Sequence, residues 1–334
     1  MEMNMENMKP ELTVIMPTYN RSSIVAKCLA AFASQTVPPD RFEVIVSDDG
    51  SNDDTQAVAT AWVHASCKSA KSPPFKVIYL HQENKGANAA RNHAVEKASG
   101  RLLLFINDDT IATPDMIKEH IKTHEEYPDE NVSVLGKVTI SPYIPYSPFA
   151  RLHLDSGYAI FKGKRELDWR AFFTCNVSVK KSLLTPSGGT RPAMLFEERI
   201  RYHEDLELSQ RLDKYGFKVI YNPAALGYHD HYLTEKEYLN TAAKEGKAIA
   251  IWYKIAPHLH KEIASLGFPP AASIMKKAYY ASANMVVNSF TRPLILRAAR
   301  LLLEKNEDAA LKLYAKLFQS LKREEIRKEM KKEL

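Results

Sequence analysis

Apolar and polar residues alternate along the first two thirds of the chain in a pattern that predicts strands and helices in turn. Four short apolar runs are typical of strands buried on both faces: Leu12–Met16, Phe42–Val46, Phe75–Leu80 and Leu102–Ile106. Helical periodicity follows the first three runs, from about Ser22, Asp53 and Ala87. Pro114 opens a further helix, and a strand is predicted after it at Val132–Gly136. Strands that alternate with helices indicate right-handed βαβ units, so we expect an α/β fold with a doubly wound, mainly parallel sheet.

The later part of the chain is less regular before it becomes helical. Prolines recur between Lys137 and Arg201, which favours surface loops of the kind that shape a pocket. A helix at Glu204–Lys214 and a strand at Phe217–Tyr221 restore the pattern, and helices dominate beyond Tyr232. We therefore predict a flexible N-terminus over residues 1–10, an α/β domain over 11–232 and a helical region over 233–334.

Composition and charge narrow the class of protein. The chain has 334 residues, of which 45% are hydrophobic and 26% charged, values that are ordinary for a soluble globular protein. Its three cysteines show no CxxC spacing, which favours a reducing, cytoplasmic location over a disulfide framework or a thiolate zinc site. Residues 275–334 hold fourteen Lys and Arg against seven Asp and Glu. The preceding residues are therefore close to neutral, which argues against nucleic acid as a partner.

The triplet Asn107-Asp108-Asp109 follows directly after the apolar run 102–106. Two neighbouring carboxylates repel each other, and a shared divalent cation removes that cost. Ligands of open α/β sheets bind at the carboxyl ends of the strands, where this triplet is expected to lie. Asp108 and Asp109 are therefore candidates for a metal and, through it, a phosphate group. An ordinary Asp-rich turn at the end of a strand is the alternative.

Polar or acidic residues also stand at the ends of other predicted elements. The clusters are Pro17-Thr18-Tyr19-Asn20-Arg21, Asp48-Asp49-Gly50-Ser51, Asn107-Asp108-Asp109 and Glu204-Asp205. Because a parallel sheet brings its strand ends to one edge, the first three clusters are expected to converge there. Such an edge could offer a wall and an acceptor for a base, and a metal for a diphosphate.

These clusters, together with Asn84-Lys85-Gly86 and Arg91-Asn92, resemble the ordered motifs of family-2 glycosyltransferases over about residues 11–232. The resemblance implies the GT-A fold, a nucleotide-diphosphate-sugar donor and inversion at the anomeric carbon. It also implies Mn²⁺ or Mg²⁺ as cofactor, which agrees with the preference of these ions for oxygen ligands. Where many members have a first Asp in the triplet, this chain has Asn107.

The resemblance implies a role for each residue that matches a family motif. The residues implied to contact the nucleotide are Pro17, Thr18, Tyr19, Arg21, Asp49, Lys85, Arg91 and Asp108. Asp49 would accept a hydrogen bond from the base, most naturally uracil, and Asp109 would bind the metal directly. His229 would lie near the metal or the diphosphate, with a solvent-exposed turn as its alternative. Asp205 would be the catalytic base, and Glu204 would either orient the acceptor or cap the helix.

The basic C-terminal region has two interpretations. Ala310, Tyr314 and Leu317 recur at helical spacing beside several lysines, as in helices that lie on an anionic membrane. Packing against the catalytic domain or a second copy of the chain, as in a homo-oligomer, explains the same pattern. The longest uncharged stretch there, residues 278–291, is too short and too polar to span a bilayer.

We therefore expect a metal-dependent inverting glycosyltransferase of polysaccharide or cell-envelope assembly. Its donor would be a UDP-sugar, and its acceptor a glycan or lipid-linked hydroxyl at the inner face of the plasma membrane. A sugar nucleotidyltransferase is a rival, although such enzymes carry a Gly-rich loop where this chain has Pro17–Arg21. A catalytically silent subunit that binds nucleotide sugars is the other rival.

Overall fold

The structure is a computed structural model that describes residues 9–65, 75–186, 192–265 and 274–332. Most of the predicted flexible N-terminus, residues 1–8, lies outside this range. The described strands form one sheet and are numbered in chain order: β1 Leu12–Thr18, β2 Phe42–Asp48, β3 Lys76–His81, β4 Leu102–Ile106, β5 Thr110–Ala112, β6 Val132–Ile140, β7 Glu166–Leu167, β8 Asn176–Lys180 and β9 Lys218–His229.

The sheet has the order β3-β2-β1-β4-β8-β6-β9-β5, and β7 pairs with β9. The first four strands in this order are parallel, which confirms the expected doubly wound α/β class. Strand β8 runs antiparallel between β4 and β6, and β6 and β9 are again parallel. Because β2, β1 and β4 are neighbours with Thr18 opposite Asp48, their carboxyl ends meet at one edge.

The described α-helices are α1 Ser22–Phe32, α2 Thr55–Ala65, α3 Ala87–Lys97, α4 Met116–Glu126, α5 Pro148–Ala150, α6 Ser156–Ala159, α7 Lys181–Leu184, α8 Glu204–Asp213, α9 Glu235–Ile255, α10 His260–Ser265, α11 Ile274–Val286, α12 Arg292–Leu303 and α13 Glu307–Met330. Apolar residues of β1, β2 and β4 pack against α1, α2 and α4, and form the core beneath one face of the sheet. This burial is the main favourable contribution to folding.

The described chain divides into two compact units. The first contains the sheet, and comprises residues up to 145 together with 154–198 and 204–231. The second comprises 146–153, 199–203 and 232 onwards. The predicted domain limits at residues 10 and 232 stay predictions.

The second unit is a helical assembly with its own core. Helix α13 packs against α9 and α12. The sequence offered Ala310, Tyr314 and Leu317 as a membrane-facing stripe. Tyr314 and Leu317 are buried in this core, and Ala310 is fully buried as well. Tyr314 is fully buried, with its ring edge-on to Phe149 at 4.9 Å. Helices of the same unit therefore cover this face.

Strands β5, β7 and β8 lie outside the set of strands that the sequence predicted. Every residue of β8 is buried, yet Asn176, Ser178 and Lys180 are polar. The hydrogen-bond partners of these polar side chains explain how they can be buried. The Ser178 hydroxyl lies 2.9 Å from ring nitrogens of His120 and His124 on α4. Hydrogen bonds inside the fold satisfy these polar groups, so polar residues can occupy buried positions of β8. The sequence therefore has no apolar run that would predict this strand.

Candidate active site

The ends of β1, β2 and β4 open onto a cavity of about 260 Å³ in the sheet-containing unit. Its described lining residues are Pro17, Thr18, Tyr19, Arg21, Asp49, Ala87, Arg91, Asn107, Asp108 and Asp109. Eight of these ten are residues to which the sequence assigned the nucleotide or the metal. Residues that are remote in sequence thus reach one cavity because their strands are neighbours in the sheet.

Asp108 and Asp109 meet the cavity from the end of β4 and share one cationic partner. The Arg21 guanidinium donates from Nη1 to Asp108 at 3.1 Å and to Asp109 at 2.9 Å. Thr18 donates its hydroxyl hydrogen to the second oxygen of Asp108 at 2.8 Å. Burial raises the pKa of Asp108 to about 6, whereas the Arg21 charge acts to lower it. The two carboxylates are therefore held together by arginine in this structure.

Part of this acidic pair remains without a protein partner. Oδ1 of Asp109 is buried, and none of the residues that the structure describes hydrogen-bonds to it. His229 lies beside it, with Nε2 3.8 Å from Oδ2 of Asp109. The buried Nδ1 of His229 likewise has no hydrogen-bond partner within the described ranges. Burial lowers the pKa of His229, which favours the neutral ring that can bind a metal.

The side chains at this edge suit a divalent cation that is shared with phosphate and water. No group of three or more His, Cys, Asp or Glu side chains in the described part of the chain lies close enough to form a protein cage for a metal. Mg²⁺ and similar ions at nucleotide sites bind through one or two carboxylates, with phosphate and water as the remaining ligands. An unpartnered buried oxygen of Asp109 beside His229 fits that kind of site.

Asp49 is fixed by the loop that follows β3. Its Oδ1 accepts hydrogen bonds from Nε2 of Gln82 and the backbone N–H of Lys85, both at 2.8 Å. Its Oδ2 accepts one from the N–H of Gly86, also at 2.8 Å. Gly50 permits this approach because its φ is +85°, and an added Cβ would lie 3.0 Å from the nitrogen of Asn84. A carboxylate has about four acceptor positions, so Asp49 keeps one for a ligand.

Arg91 and Glu204 form a buried ion pair at the side of the cavity. Nη1 of Arg91 lies 2.8 Å from Oε1 of Glu204 and 3.0 Å from Oδ1 of Asn88. The guanidinium also lies 5.6 Å from the centre of the Phe196 ring. Glu204 is therefore held by Arg91, whereas its neighbour Asp205 occupies the first turn of α8 and is half-buried.

The pKa of Cys175 responds to both the base candidate Asp205 and the metal-ligand candidate Asp109. Burial raises the pKa of the Cys175 thiol to about 11, and the charges of Asp205 and Asp109 both contribute to that increase. The Tyr158 hydroxyl lies 3.5 Å from the same sulfur atom. The hydroxyl of Thr110, the residue after Asp109, donates to the carbonyl of Cys175 at 3.2 Å. Cys175 thus lies between Tyr158 and the strand that follows Asp109.

Tyr158 also lines a second cavity of about 650 Å³ in the same unit. The described residues that line it include four cations and no acid; the cations are Lys137, Lys162, Lys164 and Arg165. Arg165 is paired with Glu126 at 3.0 Å. Thr139, on another wall, is paired in the β-ladder with Tyr228, the residue before His229. This second cavity thus borders the strand that carries the metal-ligand candidate.

Two predicted site residues lie differently from the rest. The Lys85 side chain is exposed and absent from the described lining of the smaller cavity, although its backbone N–H holds Asp49. His229 is half-buried beside Asp109 rather than in an exposed turn. Sequence reasoning missed the role of Asn92, whose side chain bonds both N–H and C=O of Phe196. No local pattern indicates such a long-range contact.

Comparison with known proteins identifies relatives for much of the chain. Residues 13–177 match the family model described as Glycosyl transferase family 2. Validoxylamine A glucosyltransferases of Streptomyces hygroscopicus subspecies limoneus and jinggangensis are 34% and 33% identical over 244 residues. These matches cover 63% of this chain and 49% and 53% of the relatives. The chain thus spans about half the length of these relatives.

Solved structures share the fold at low sequence identity. The mannosyltransferase PcManGT from Pyrobaculum calidifontis, in complex with GDP-Man and Mn²⁺, has a TM-score of 0.59 and 19% identity. The match covers 94% of this chain and 87% of that one. S. aureus TarS 1–349, in complex with UDP, has a TM-score of 0.51 and 17% identity, with 95% and 91% covered. These similarities confirm the predicted GT-A fold.

Proposed function

Because the chain belongs to glycosyltransferase family 2, we propose that it transfers a sugar from a nucleotide diphosphate to an acceptor hydroxyl, with inversion at the anomeric carbon. The observation that carries this proposal is the convergence of Asp49, Asp108 and Asp109 on one cavity. A nucleotide diphosphate needs a hydrogen-bond acceptor for its base, which Asp49 would supply. It also needs positive charge for its phosphates, which Arg21 and a cation held by Asp109 would supply.

The nucleotide would lie along the ends of β1, β2 and β4. Asp49 would accept a hydrogen bond from the imino N–H of uracil, which is why a UDP-sugar is the proposed donor. Three donors already orient this carboxylate, so it loses little freedom when the base binds. Tyr19 and Pro17 line the cavity where the base would pack. Arg21 would pair with the diphosphate, since a guanidinium suits phosphate oxygens.

Asp109 and His229 would hold Mn²⁺ or Mg²⁺. When bound, the cation would neutralise the charge that develops on the departing diphosphate. The buried Oδ1 of Asp109, which has no hydrogen-bond partner among the described residues, supports this assignment. Asp108 would contact the ribose or metal-bound water, and Thr18 would keep its carboxylate oriented.

Asp205 would act as the general base. The acceptor oxygen attacks the anomeric carbon, the bond to the diphosphate oxygen breaks with its electron pair, and Asp205 takes the acceptor proton. The N-terminal position of Asp205 on α8 favours its charged form. Glu204 is the weaker candidate because its carboxylate is already paired with Arg91 at 2.8 Å. Its proposed role is to position Arg91.

The second cavity is the proposed acceptor site. Tyr158, which lines it, lies 3.5 Å from the sulfur of Cys175, and the carbonyl of Cys175 accepts a hydrogen bond from Thr110, the residue after Asp109. Its lysines would suit an acceptor that bears a phosphate or another anion, as in a lipid-linked glycan or an anionic polysaccharide of the cell envelope. We assign the reaction to the inner face of the plasma membrane, where such acceptors are assembled.

Nucleotide release tests the proposal. The full chain would be incubated with Mn²⁺ and a panel of UDP- and GDP-sugars, with and without glycan and lipid-phosphate acceptors. We expect release that is specific for one nucleotide sugar and is accelerated by an acceptor. Release of pyrophosphate instead would favour a sugar nucleotidyltransferase. Binding without turnover across the panel would favour a catalytically silent subunit.

A further inference from the structure

Helices α11 and α12, with their connecting residues, form a helix–loop–helix segment over residues 274–303 (the hairpin) that exposes unusually many apolar side chains. Eight large apolar side chains of the hairpin are between 65% and 88% exposed: Ile274, Met275, Tyr279, Met285, Val286, Phe290, Leu294 and Leu301. Contiguous apolar patches of this kind are uncommon on proteins that stay in water, and mark surfaces that another phase or molecule covers.

The exposed side chains fall on one face of each helix. In α11 they lie at spacings of 0, 1, 5, 11 and 12 residues from Ile274, which a period of 3.6 places within one sector. In α12, Leu294 and Leu301 are separated by two turns on the exposed side. Phe290 lies in the connection between the helices. Each helix therefore presents an exposed apolar face, and an exposed aromatic residue lies in the connection between them.

The charge of the hairpin has a single sign. Residues 274–303 contain five Lys and Arg and no Asp or Glu. Two of these cations, Arg292 and Arg300, are paired with Glu324 and Glu235 of other helices. The Arg297 side chain is exposed, and no ion pair of it is found within the described ranges. A second copy of the chain on this face would place like charges together, which is unfavourable. An anionic surface would instead complement them.

A cavity of about 620 Å³ lies at the turn of the hairpin, where Ser289 precedes Phe290. Its described lining contains four cations and one acid: Arg292, Arg327, Lys328, Lys331 and Glu324. Glu324 is already paired with Arg292 and with Lys328. Arg327 and Lys331 are exposed and have no ion pair in the part of the chain that is described, and Nε of Arg292 is buried without a hydrogen-bond partner.

From these observations we infer that the α11–α12 hairpin docks on an anionic phospholipid membrane. Phe290, Leu294 and the exposed face of α11 enter the boundary between headgroups and acyl chains, as amphipathic helices do. Arg327 and Lys331 bind a lipid phosphate in the adjacent cavity. Apolar insertion and a basic patch are the two signals that stable peripheral anchoring requires. No described helix of the chain could itself cross a bilayer.

The inference deepens the proposed function and rests on it, because the proposed lipid-linked acceptor is the reason for the chain to bind a membrane. Co-sedimentation of the full chain with vesicles tests it without catalysis. We expect binding to vesicles of phosphatidylcholine with phosphatidylglycerol, weak binding to phosphatidylcholine alone, and loss of binding at high salt.

Variants distinguish the two parts of the docking surface. Phe290→Glu is expected to weaken partitioning by at least about tenfold, since burial of one aromatic side chain contributes that much. The pair Arg327→Gln and Lys331→Gln should weaken it by about thirtyfold, at about fivefold for each charge. The matched control for Phe290→Glu is Tyr143→Glu, at another exposed aromatic residue. The matched control for the charge pair is Lys312→Gln with Lys316→Gln, which removes the same charge from α13 outside the cavity lining.

Several outcomes would overturn the inference. One is vesicle binding by the wild type that does not depend on phosphatidylglycerol. The others are no vesicle binding by the wild type, and vesicle binding by Phe290→Glu that equals that of the wild type. Light scattering that shows a dimer dissociated by Phe290→Glu, without vesicle binding, would assign the face to a second copy instead. Thermal shift measures UDP binding by every variant and also reports whether the variant is folded. It therefore separates a failure of docking from a failure of the proposed function.

Discussion

The Arg21 guanidinium donates to Oδ2 of Asp109 at 2.9 Å, while the other oxygen of that carboxylate is buried without a partner among the described residues. The carboxylate proposed to bind the metal is therefore half satisfied. Arg21 supplies part of the positive charge that a cation would otherwise provide. Because Arg21 is also about one third exposed, it can move towards a diphosphate when one binds.

We predict that Arg21→Ala binds Mn²⁺ more tightly than the wild type in the absence of nucleotide. Removal of a cation that contacts both Asp108 and Asp109 eliminates competition for the site, and we expect an increase in affinity of about tenfold, or about 1.4 kcal/mol. Electron paramagnetic resonance of free Mn²⁺ measures this. Lys27→Ala, which removes the exposed partner of Asp230, is the control. Equal or weaker Mn²⁺ binding by Arg21→Ala would show that Arg21 does not compete.

Asp205 and Glu204 are predicted to differ despite their adjacency. Asp205→Asn should lower kcat by about 10²–10⁴-fold, the usual contribution of a general base, with little change in donor KM. Glu204→Gln should lower the free energy of unfolding by about 3–5 kcal/mol, because it leaves the Arg91 charge buried and without its ionic partner. Steady-state kinetics and chemical denaturation measure these effects. Full turnover by Asp205→Asn would remove it as the base.

The cationic cavity near Tyr158 gives a prediction about the acceptor. Lys162→Gln with Lys164→Gln should raise the KM for a phosphate-bearing acceptor by about tenfold, since each of these exposed charges contributes up to about 1 kcal/mol. Donor KM and acceptor-independent release of nucleotide should not change. Lys97→Gln with Lys122→Gln, at exposed positions outside the cavity, is the control. Acceptor KM that responds equally to both pairs would contradict the assignment.

Glu245 in the helical unit gives a prediction about pH. Its carboxylate lies 2.8 Å from Nζ of Lys322 and 3.6 Å from Nε2 of His203. Burial would raise its pKa, but His203 and Lys322 lower it to about 2, against 4.5 ordinarily. A carboxyl with a lowered pKa stabilises the fold above pH 4.5, and the contribution disappears as pH falls towards 2.

The size of that contribution is about 3 kcal/mol at neutral pH. Glu245→Gln should therefore be less stable than the wild type at pH 7, and the difference should shrink between pH 4.5 and 2. Urea denaturation across this range measures it. Glu304→Gln, at an exposed position, is the control and should show no such change. A pH-independent difference would mean that packing alone, rather than charge, explains the loss.

The sequence predicted the sheet and the cavity well where local signals suffice. Apolar runs marked β1, β2 and β4, and the polar residues after each run marked their shared edge. Strand β8 was not predicted, because its buried Asn176 and Ser178 are polar and are satisfied by hydrogen bonds with histidines from α4. Such pairing depends on contacts more than fifty residues apart in the chain, which no local pattern reveals.

The C-terminal helices show a second reason for failure. Amphipathic spacing at Ala310 and Tyr314 identifies an apolar face but not what covers it. Helices α9 and α12 cover that face, whereas the apolar residues of α11, such as Tyr279, remain exposed. The contact between Arg21 and Asp109 was missed for a similar reason, since Arg21 was assigned to the nucleotide alone.

Isothermal titration of UDP into the wild type and Asp109→Asn, with and without Mn²⁺, tests the central proposal most directly. We predict that Mn²⁺ strengthens UDP binding to the wild type by at least about tenfold, and that Asp109→Asn abolishes this gain while UDP still binds weakly through the Asp49 end of the cavity. UDP affinity that is independent of Mn²⁺ in the wild type, or a gain that survives in Asp109→Asn, would contradict it.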